Sequence, residues 1–282
     1  MSLKMKAWAL ACQILKTGIE FMGERTGAIL SARLAEQLIP IVTRQTAAGS
    51  LHFYCPNHIA YWQAENCLSK EPETIAWIDS FQAGDVFWDV GANMGVYALY
   101  AGLKPGVTVL AFEPAAANYH ALNENVAINS MADKISAYCL AFNDISGLDY
   151  LYMQKTAVAE ALHNFGGAID WQNKPFKAAF KQAALGFSLD DFMEQFQPPF
   201  PTHLKLDVDG IENKILKGAA KTIANKRLKS LLVELNIDRI DYCQEVIAYL
   251  EQAGLTLHSC QHGPLFHSGP FASVYNHIFI RS

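Results

Sequence analysis

The sequence predicts an α/β protein built on a mostly parallel, doubly wound sheet, and three observations lead to this prediction. From residue 84 onward, short apolar runs alternate with segments of helical periodicity, which is the pattern of a parallel sheet with crossover helices. The last two apolar runs have no helix between them, so we expect an antiparallel edge strand. Apolar residues make up 51% of the 282 residues, which is enough for a full core.

The individual elements follow from these patterns in chain order. Strands are predicted at 86–90, 107–112, 135–141, 203–206, 230–235, 255–260 and 276–280. Helices are predicted at 96–102, 116–129, 211–224 and 240–253, where apolar residues recur with a helical period. A short helix that begins near Pro72 precedes the first of these strands, because proline suits a first helical turn.

The chain is expected to divide into two parts. Residues 1–70 form an N-terminal extension, which is helical over 4–45 and irregular over 49–70, and residues 71–282 form the main domain. Within that domain, residues 154–186 interrupt the alternation of strands and helices. An insertion of this length over a sheet edge is either a lid or substrate loop, or a structural excursion without a ligand.

Composition and charge narrow the classes of function and partner. The formal net charge of −5 argues against a protein that coats nucleic acid. No stretch reaches the roughly 18 apolar residues that a membrane span requires. Six scattered cysteines without a C-x-x-C pair favour reduced thiols and a cytoplasmic protein. The sequence leaves the oligomeric state open.

A glycine-rich loop at 85–97 is the most informative stretch. Gly91 and Gly95 flank a tight turn from a strand into a helix, where the backbone can approach a ligand closely. The loop departs from the dinucleotide fingerprint, because Asn93 stands at the second glycine position. Asp89 would repel a pyrophosphate but attract an ammonium group, which favours S-adenosylmethionine (SAM). The predicted cofactor contacts of this loop are Asp89, Gly91, Ala92, Asn93, Gly95 and Tyr97.

Two further strand ends complete the predicted cofactor site. Glu113 lies about 20 residues after the first glycine of the loop, the spacing at which an acid accepts both hydroxyls of a ribose. Pro114 follows it directly. The third strand ends at Phe142, and an adenine would lie between this side chain and Asp144. The Asn-Asp pair at this point also suits a plain turn.

A second signature occupies residues 202–219. Lys205 and Asp207 point to the same face of a predicted strand, where buried charges are costly unless they are paired. Asp207 falls at the carboxyl end of the strand, which is the ligand side of open α/β sheets. Asp209 and Gly210 make the following turn, and Glu212 lies in the first turn of the next helix, where its charge suits the helix dipole.

Three stretches, at 89–95, 111–114 and 205–212, resemble the FkbM family of SAM-dependent methyltransferases. They read DVGANMG, AFEP and KLDVDGIE, and the resemblance covers roughly residues 70 to 260. Asp209 departs from the family, which usually has Glu there. The resemblance implies a class I methyltransferase Rossmann-like fold. It also implies methylation of a hydroxyl on a small-molecule or glycan acceptor, such as a sugar or secondary metabolite.

A hydroxyl acceptor must lose its proton, and two routes are open. Asp207 could act as general base, or a divalent cation could bind and acidify the acceptor oxygen. Asp207, Glu234 and Asn236 lie at the ends of adjacent predicted strands and supply oxygen ligands that suit Mg²⁺. Glu234 and Asn236 could equally hydrogen bond to helix ends or loops. Asp207 and Glu234 are the predicted catalytic residues, and no metal is assigned.

Other functions stay open beside O-methylation. The chain could be an N-methyltransferase in which Asp207 orients an amine, or a SAM-binding protein without catalysis. A zinc site is disfavoured, because the spacing of the C-terminal histidines fits no compact motif. These histidines are His258, His262 and His267. Aromatic candidates for the wall of an acceptor pocket are Tyr54, Trp62 and Phe165.

Overall fold

The computed structural model describes residues 3–281, and its two compact units divide after Ile41. The helices are α1 (Leu3–Phe21), α2 (Glu24–Leu38), α3 (His58–Glu65), α4 (Pro72–Asp79), α5 (Val96–Gly102), α6 (Ala116–Ile128), α7 (Leu189–Phe196), α8 (Glu212–Lys217), α9 (Ala220–Ala224) and α10 (Ile240–Gln252). The strands are β1 (Ile41–Thr46), β2 (Gly49–Tyr54), β3 (Val86–Val90), β4 (Thr108–Phe112), β5 (Ile135–Tyr138), β6 (Ala141–Phe142), β7 (Gly147–Met153), β8 (Asn164–Phe165), β9 (Phe180–Phe187), β10 (His203–Leu206), β11 (Ser230–Asn236), β12 (Leu255–Gln261) and β13 (Val274–Arg281).

The N-terminal unit consists of α1 and α2, which contact each other. Gly23 separates them with a φ of 84°, so the helical run expected over 4–45 is broken. It also ends early, because β1 begins at Ile41, just after Pro40. No helix within residues 3–281 is both long enough and apolar enough to cross a bilayer.

A seven-stranded sheet forms the centre of the second unit, in the order β12-β13-β11-β10-β3-β4-β5. Strands β3, β4, β5, β10 and β11 are parallel, and β13 runs antiparallel to both β11 and β12. The predicted α/β class and the mostly parallel sheet are therefore confirmed. The antiparallel strand lies second from the edge rather than outermost, because β12 occupies the edge and β13 returns into the gap beside β11.

Two regions hold more regular structure than the sequence predicted. The stretch expected to be irregular, 49–70, contains β2 and α3, and Asn57 caps α3 by accepting from the backbone N–H groups of Ile59 and Ala60, both at 2.9 Å. The insertion at 154–186 lies largely between β7 and β9, two paired antiparallel strands of a second sheet with the order β6-β9-β7-β8. The run expected as one strand over 135–141 divides into β5 of the first sheet and β6 of the second.

The glycine loop after β3 packs directly on the neighbouring central strand. Gly91 has a φ of +85°, and a Cβ atom there would lie 1.8 Å from the carbonyl oxygen of Asp207. Its N–H donates to the carbonyl of Phe112 at 2.9 Å, at the end of β4. Gly91 is therefore required by backbone packing between strand ends, in addition to any contact with a ligand.

We expect Gly91→Ala to destabilise the fold more than a matched change at Gly84. Gly84 has a similar φ of +89° with nothing within 4 Å of an added Cβ, so Gly84→Ala should cost only the left-handed strain of about 1–2 kcal/mol. Gly91→Ala adds the clash with the backbone, a further ~1–3 kcal/mol. Urea unfolding of both variants measures the difference, and equal midpoints would contradict this account.

Candidate active site

The carboxyl ends of β3, β4, β10 and β11 border a cavity of about 280 Å³. Ligand sites of open α/β sheets lie at this side of the strands. Much of the remaining wall comes from three segments, within 62–71, 160–171 and 262–274, and individual residues of α5, α6, β6, β7 and β13 also contribute to it. The cavity is therefore bounded by sheet residues on one side and by loops and the insertion on the others.

Most of the predicted site residues line this cavity. They are Gly91, Ala92, Asn93, Tyr97, Glu113, Pro114, Phe142, Asp207 and Glu234. Three predicted cofactor residues do not line it, namely Asp89, Gly95 and Asp144. Gly95 packs on α6, because an added Cβ would lie 2.4 Å from Leu122 Cδ1, and Asp144 is exposed on a turn.

Asp89 lies inside the sheet rather than at its surface. The side chain is fully buried and stands in register with Lys205 on the neighbouring strand. Burial raises the pKa of Asp89 to about 6, although the charge of Lys205 opposes this shift. Asp89 thus acts on the cavity through its partner lysine and not by contact.

Glu113 is held in a fixed position at the end of β4. Its Oε2 accepts from the backbone N–H of Asn93 and its Oε1 from the backbone N–H of Ala115, both at 2.8 Å. Burial raises the pKa of Glu113 to about 7 against its hydrogen bonds from these two N–H groups and from the Asn118 side chain. An ionised carboxylate has about four lone-pair sites. The group therefore keeps acceptor capacity for a hydroxyl of a ligand.

Three carboxyl groups converge at one end of the cavity. One oxygen each of Glu71, Asp207 and Glu234 can be chosen so that all three lie within 4.8 Å of one another. Two lysines accompany them, with Lys205 Nζ 2.6 Å from Asp207 Oδ2 and Lys70 Nζ 3.1 Å from Glu71 Oε1. The predicted pair Asp207 and Glu234 thus lies together, with a third acid, Glu71, that directly precedes α4.

The pKa values of Asp207 and Glu234 are shifted in opposite directions. Burial would raise the pKa of Asp207, but the charges of Lys205 and Lys70 outweigh it and hold that pKa below its usual range. Burial and the charges of Asp207 and Glu71 raise the pKa of Glu234 well above its usual range. At neutral pH the Asp207 carboxylate is therefore the ionised acceptor of the pair.

Asn276 is a site residue that sequence reasoning missed. It pairs in register with Glu234 across β11 and β13, and it lines the cavity. Its Nδ2 donates to Glu73 Oε1 at 2.9 Å and lies 3.2 Å from Glu71 Oε2. No local pattern marks an asparagine near the chain end as a partner of residues some 200 positions earlier. Only the strand pairing reveals it.

The insertion forms one wall of the cavity through polar contacts with the motif loops. Asp209 Oδ2 accepts from the backbone N–H of Leu162 at 2.7 Å, and burial raises the pKa of Asp209 to about 7. The side-chain amides of Asn93 and Asn118 donate to the carbonyl of Glu160 at 3.1 and 2.9 Å. These contacts attach residues 160–162 to the rim of the site.

The remaining candidates divide between cavity wall and framework. Trp62 and Phe165 line the cavity, whereas Tyr54 packs edge-on against His120. Asn236 is buried and accepts from the backbone N–H of Asp238. Of its two predicted roles, it therefore fits a hydrogen bond to the following loop rather than a cation ligand. Of the C-terminal histidines only His262 lines the cavity.

Comparison with known proteins identifies a family for this architecture. The model of the methyltransferase FkbM domain matches residues 89–257. A similar protein, the hexuronic acid methyltransferase AglP of Haloferax volcanii, is 23% identical over 230 residues, which cover 79% of this chain and 82% of that relative. The 31-O-demethyl-FK506 methyltransferase FkbM of Streptomyces tacrolimicus is 49% identical over 53 residues, or 18% of this chain and 20% of that relative.

One similar solved structure is the methyltransferase FkbM from Methylobacillus flagellatus, with a TM-score of 0.49 and 16% identity. The match covers 78% of this chain and 53% of that chain, so it spans about half of the solved protein. The family model itself covers more than half of the present sequence and includes both the glycine loop and the Lys205–Glu212 signature. The chain therefore belongs to the FkbM methyltransferase family.

Proposed function

We propose that this protein transfers a methyl group from SAM to a hydroxyl of a small-molecule or glycan acceptor. The observation that carries this proposal is the cavity itself, because Glu113 and the acidic cluster (Glu71, Asp207 and Glu234) line different parts of the same wall. Glu113 suits a ribose, and Asp207 suits an acceptor that must lose a proton. Family membership supports the same reaction class.

The residues around the glycine loop fit SAM. Glu113 keeps acceptor capacity for a ribose hydroxyl, and Leu140 and Phe142 provide an apolar part of the cavity wall for an adenine. Gly91 and Ala92 bring backbone to the cavity surface without a large side chain. Bound SAM supplies an electrophilic methyl group, and the protein must hold it and present the acceptor.

Asp207 is the residue best placed to receive the acceptor proton. Both Asp207 and Lys205 line the cavity, and the Asp207 side chain keeps 22% exposure whereas that of Lys205 keeps 1%, so Asp207 is the more accessible of the two. The bond to Lys205 Nζ at 2.6 Å holds the carboxylate in place. Positioning of the hydroxyl by this group and removal of its proton are the contributions of the chain.

The acceptor we propose is a carbohydrate or a related polyhydroxylated metabolite. The cavity combines broad apolar faces, from Trp62, Phe266 and Phe271, with the acidic cluster and Lys70. Apolar walls with a few convergent polar groups are typical of sites that bind and orient small molecules. One relative is named for a hexuronic acid as its substrate. Incubation with methyl-labelled SAM and a panel of sugar, glycan and amine acceptors tests this, and labelling of amines alone would refute it.

We expect Glu113→Gln to weaken binding of S-adenosylhomocysteine by about 1.5–3 kcal/mol, because a charged acceptor is lost. Binding to the parent should also depend on pH. The pKa of Glu113 is raised to about 7, so the accepting carboxylate predominates above that pH and its protonated form below it. Affinity should therefore rise roughly tenfold from pH 6 to pH 8.

Titration calorimetry at several pH values measures both effects. Asp144→Asn is the matched control, because Asp144 is exposed and does not line the cavity, and its affinity should equal that of the parent. If Glu113→Gln bound as tightly as the parent and kept the same pH profile, the ribose role would be refuted.

We expect Asp207→Asn to lower turnover on a confirmed acceptor by a factor of about 10²–10⁴, the usual contribution of a general base. Binding of S-adenosylhomocysteine should change little, because the proposed cofactor contact is made by Glu113, whereas Asp207 is proposed to contact the acceptor. Steady-state kinetics and calorimetry separate the two effects. Full activity would show that Asp207 serves only as the partner of Lys205.

A further inference from the structure

The acidic end of the cavity has the geometry of an oxygen-ligand cation site. Glu71 precedes α4, Asp207 follows β10, and Glu234 lies on β11, yet one oxygen from each falls within 4.8 Å of the other two. Oxygen ligands lie about 2.1 Å from Mg²⁺ and up to about 2.6 Å from Ca²⁺. Opposite ligands of one ion are thus roughly 4–5 Å apart. The three oxygens are close enough to share one ion.

Acidic side chains outnumber basic ones at this end of the cavity. Glu71, Asp207, Glu234 and the neighbouring Asp89 face two ammonium groups, those of Lys70 and Lys205. When all of these groups are ionised, two negative charges remain in excess. Buried charges in proteins are paired or coordinate metals. A divalent cation would supply the missing charge.

Asn276 provides an independent indication of a cationic ligand. Its side chain is 3% exposed, and no described residue donates a hydrogen bond to its Oδ1. Its Nδ2 lies 3.2 Å from Glu71 Oε2, and the residue stands opposite Glu234 on the paired strand. The amide oxygen is therefore a buried, unpaired acceptor on a side chain that contacts Glu71, and amide oxygens are regular ligands of Mg²⁺ and Ca²⁺.

We propose that Glu71, Asp207, Glu234 and the Asn276 amide oxygen bind one hard divalent cation, of the class of Mg²⁺, Mn²⁺ and Ca²⁺. Lys205 contacts one oxygen of Asp207, and Lys70 contacts one oxygen of Glu71. The two lysines would orient these carboxylates without binding the ion themselves. In the proposed methyl transfer, on which this role rests, the cation would bind the acceptor hydroxyl and lower its pKa, and the proton would pass to a lone pair of Asp207 that the cation does not use. The binding itself does not depend on that reaction.

Mn²⁺ titration followed by electron paramagnetic resonance tests the site on the full chain, stripped with EDTA and free of SAM and acceptor. We expect saturable binding of one Mn²⁺ per chain, with competition by Mg²⁺ or Ca²⁺. Glu234→Gln and Glu71→Gln should each weaken Mn²⁺ binding by about 10–100-fold. Glu160→Gln is the matched control, because Glu160 also lines the cavity but pairs with Lys155 and lies outside the three-oxygen cluster, and this variant should bind Mn²⁺ as tightly as the parent.

Two results would overturn the proposal. One is a parent protein without saturable Mn²⁺ binding up to about a millimolar concentration, the weak end of protein calcium sites. The other is unchanged binding in a folded Glu234→Gln or Glu71→Gln variant, with thermal melting in EDTA as the check on folding. Calorimetry with S-adenosylhomocysteine in EDTA tests the proposed function separately. Cofactor binding without Mn²⁺ binding refutes only the cation site, and the reverse result refutes only the cofactor site.

Discussion

The buried ammonium group of Lys205 is the interaction on which the acidic end of the cavity depends. Lys205 is 1% exposed in the central strand β10, and it contacts Asp207 at 2.6 Å and the ring of Tyr97 at 5.0 Å from the ring centroid. Burial would lower its pKa, but the neighbouring carboxylates, led by Asp207 and Asp89, outweigh burial and raise it. Without this charge, the Asp207 carboxylate would lose its ion-pair partner and Asp89 the nearby positive charge, and removal of one member of a buried pair strongly destabilises a protein.

The glycine loop and the Lys205–Glu212 signature contact each other because they lie on neighbouring strands. β3 and β10 pair in parallel, with Asp89 opposite Lys205, and the absent Cβ of Gly91 leaves room for the carbonyl of Asp207. The loop that would hold the cofactor and the residue that would receive the acceptor proton are thus joined through backbone contact.

The sequence predicted the parts of the structure that local patterns encode. The apolar runs of β3, β4, β10 and β11 are buried on both faces, so they stand out as short continuous segments. Most of the predicted site residues follow such strands and line the cavity. The second sheet was missed, since β7 and β9 are largely exposed and lack a continuous apolar run.

By itself, the sequence determined the α/β class, the mostly parallel sheet and the strand ends that carry Glu113 and Asp207, because these depend on hydrophobic periodicity and short motifs. Only the tertiary structure decided that Glu71 and Asn276 join Glu234 and that Asp89 lies inside the sheet. Those facts depend on strand order and register, which place residues some 200 positions apart side by side. Neither residue spacing nor composition specifies such pairings, because they arise from packing of the whole chain.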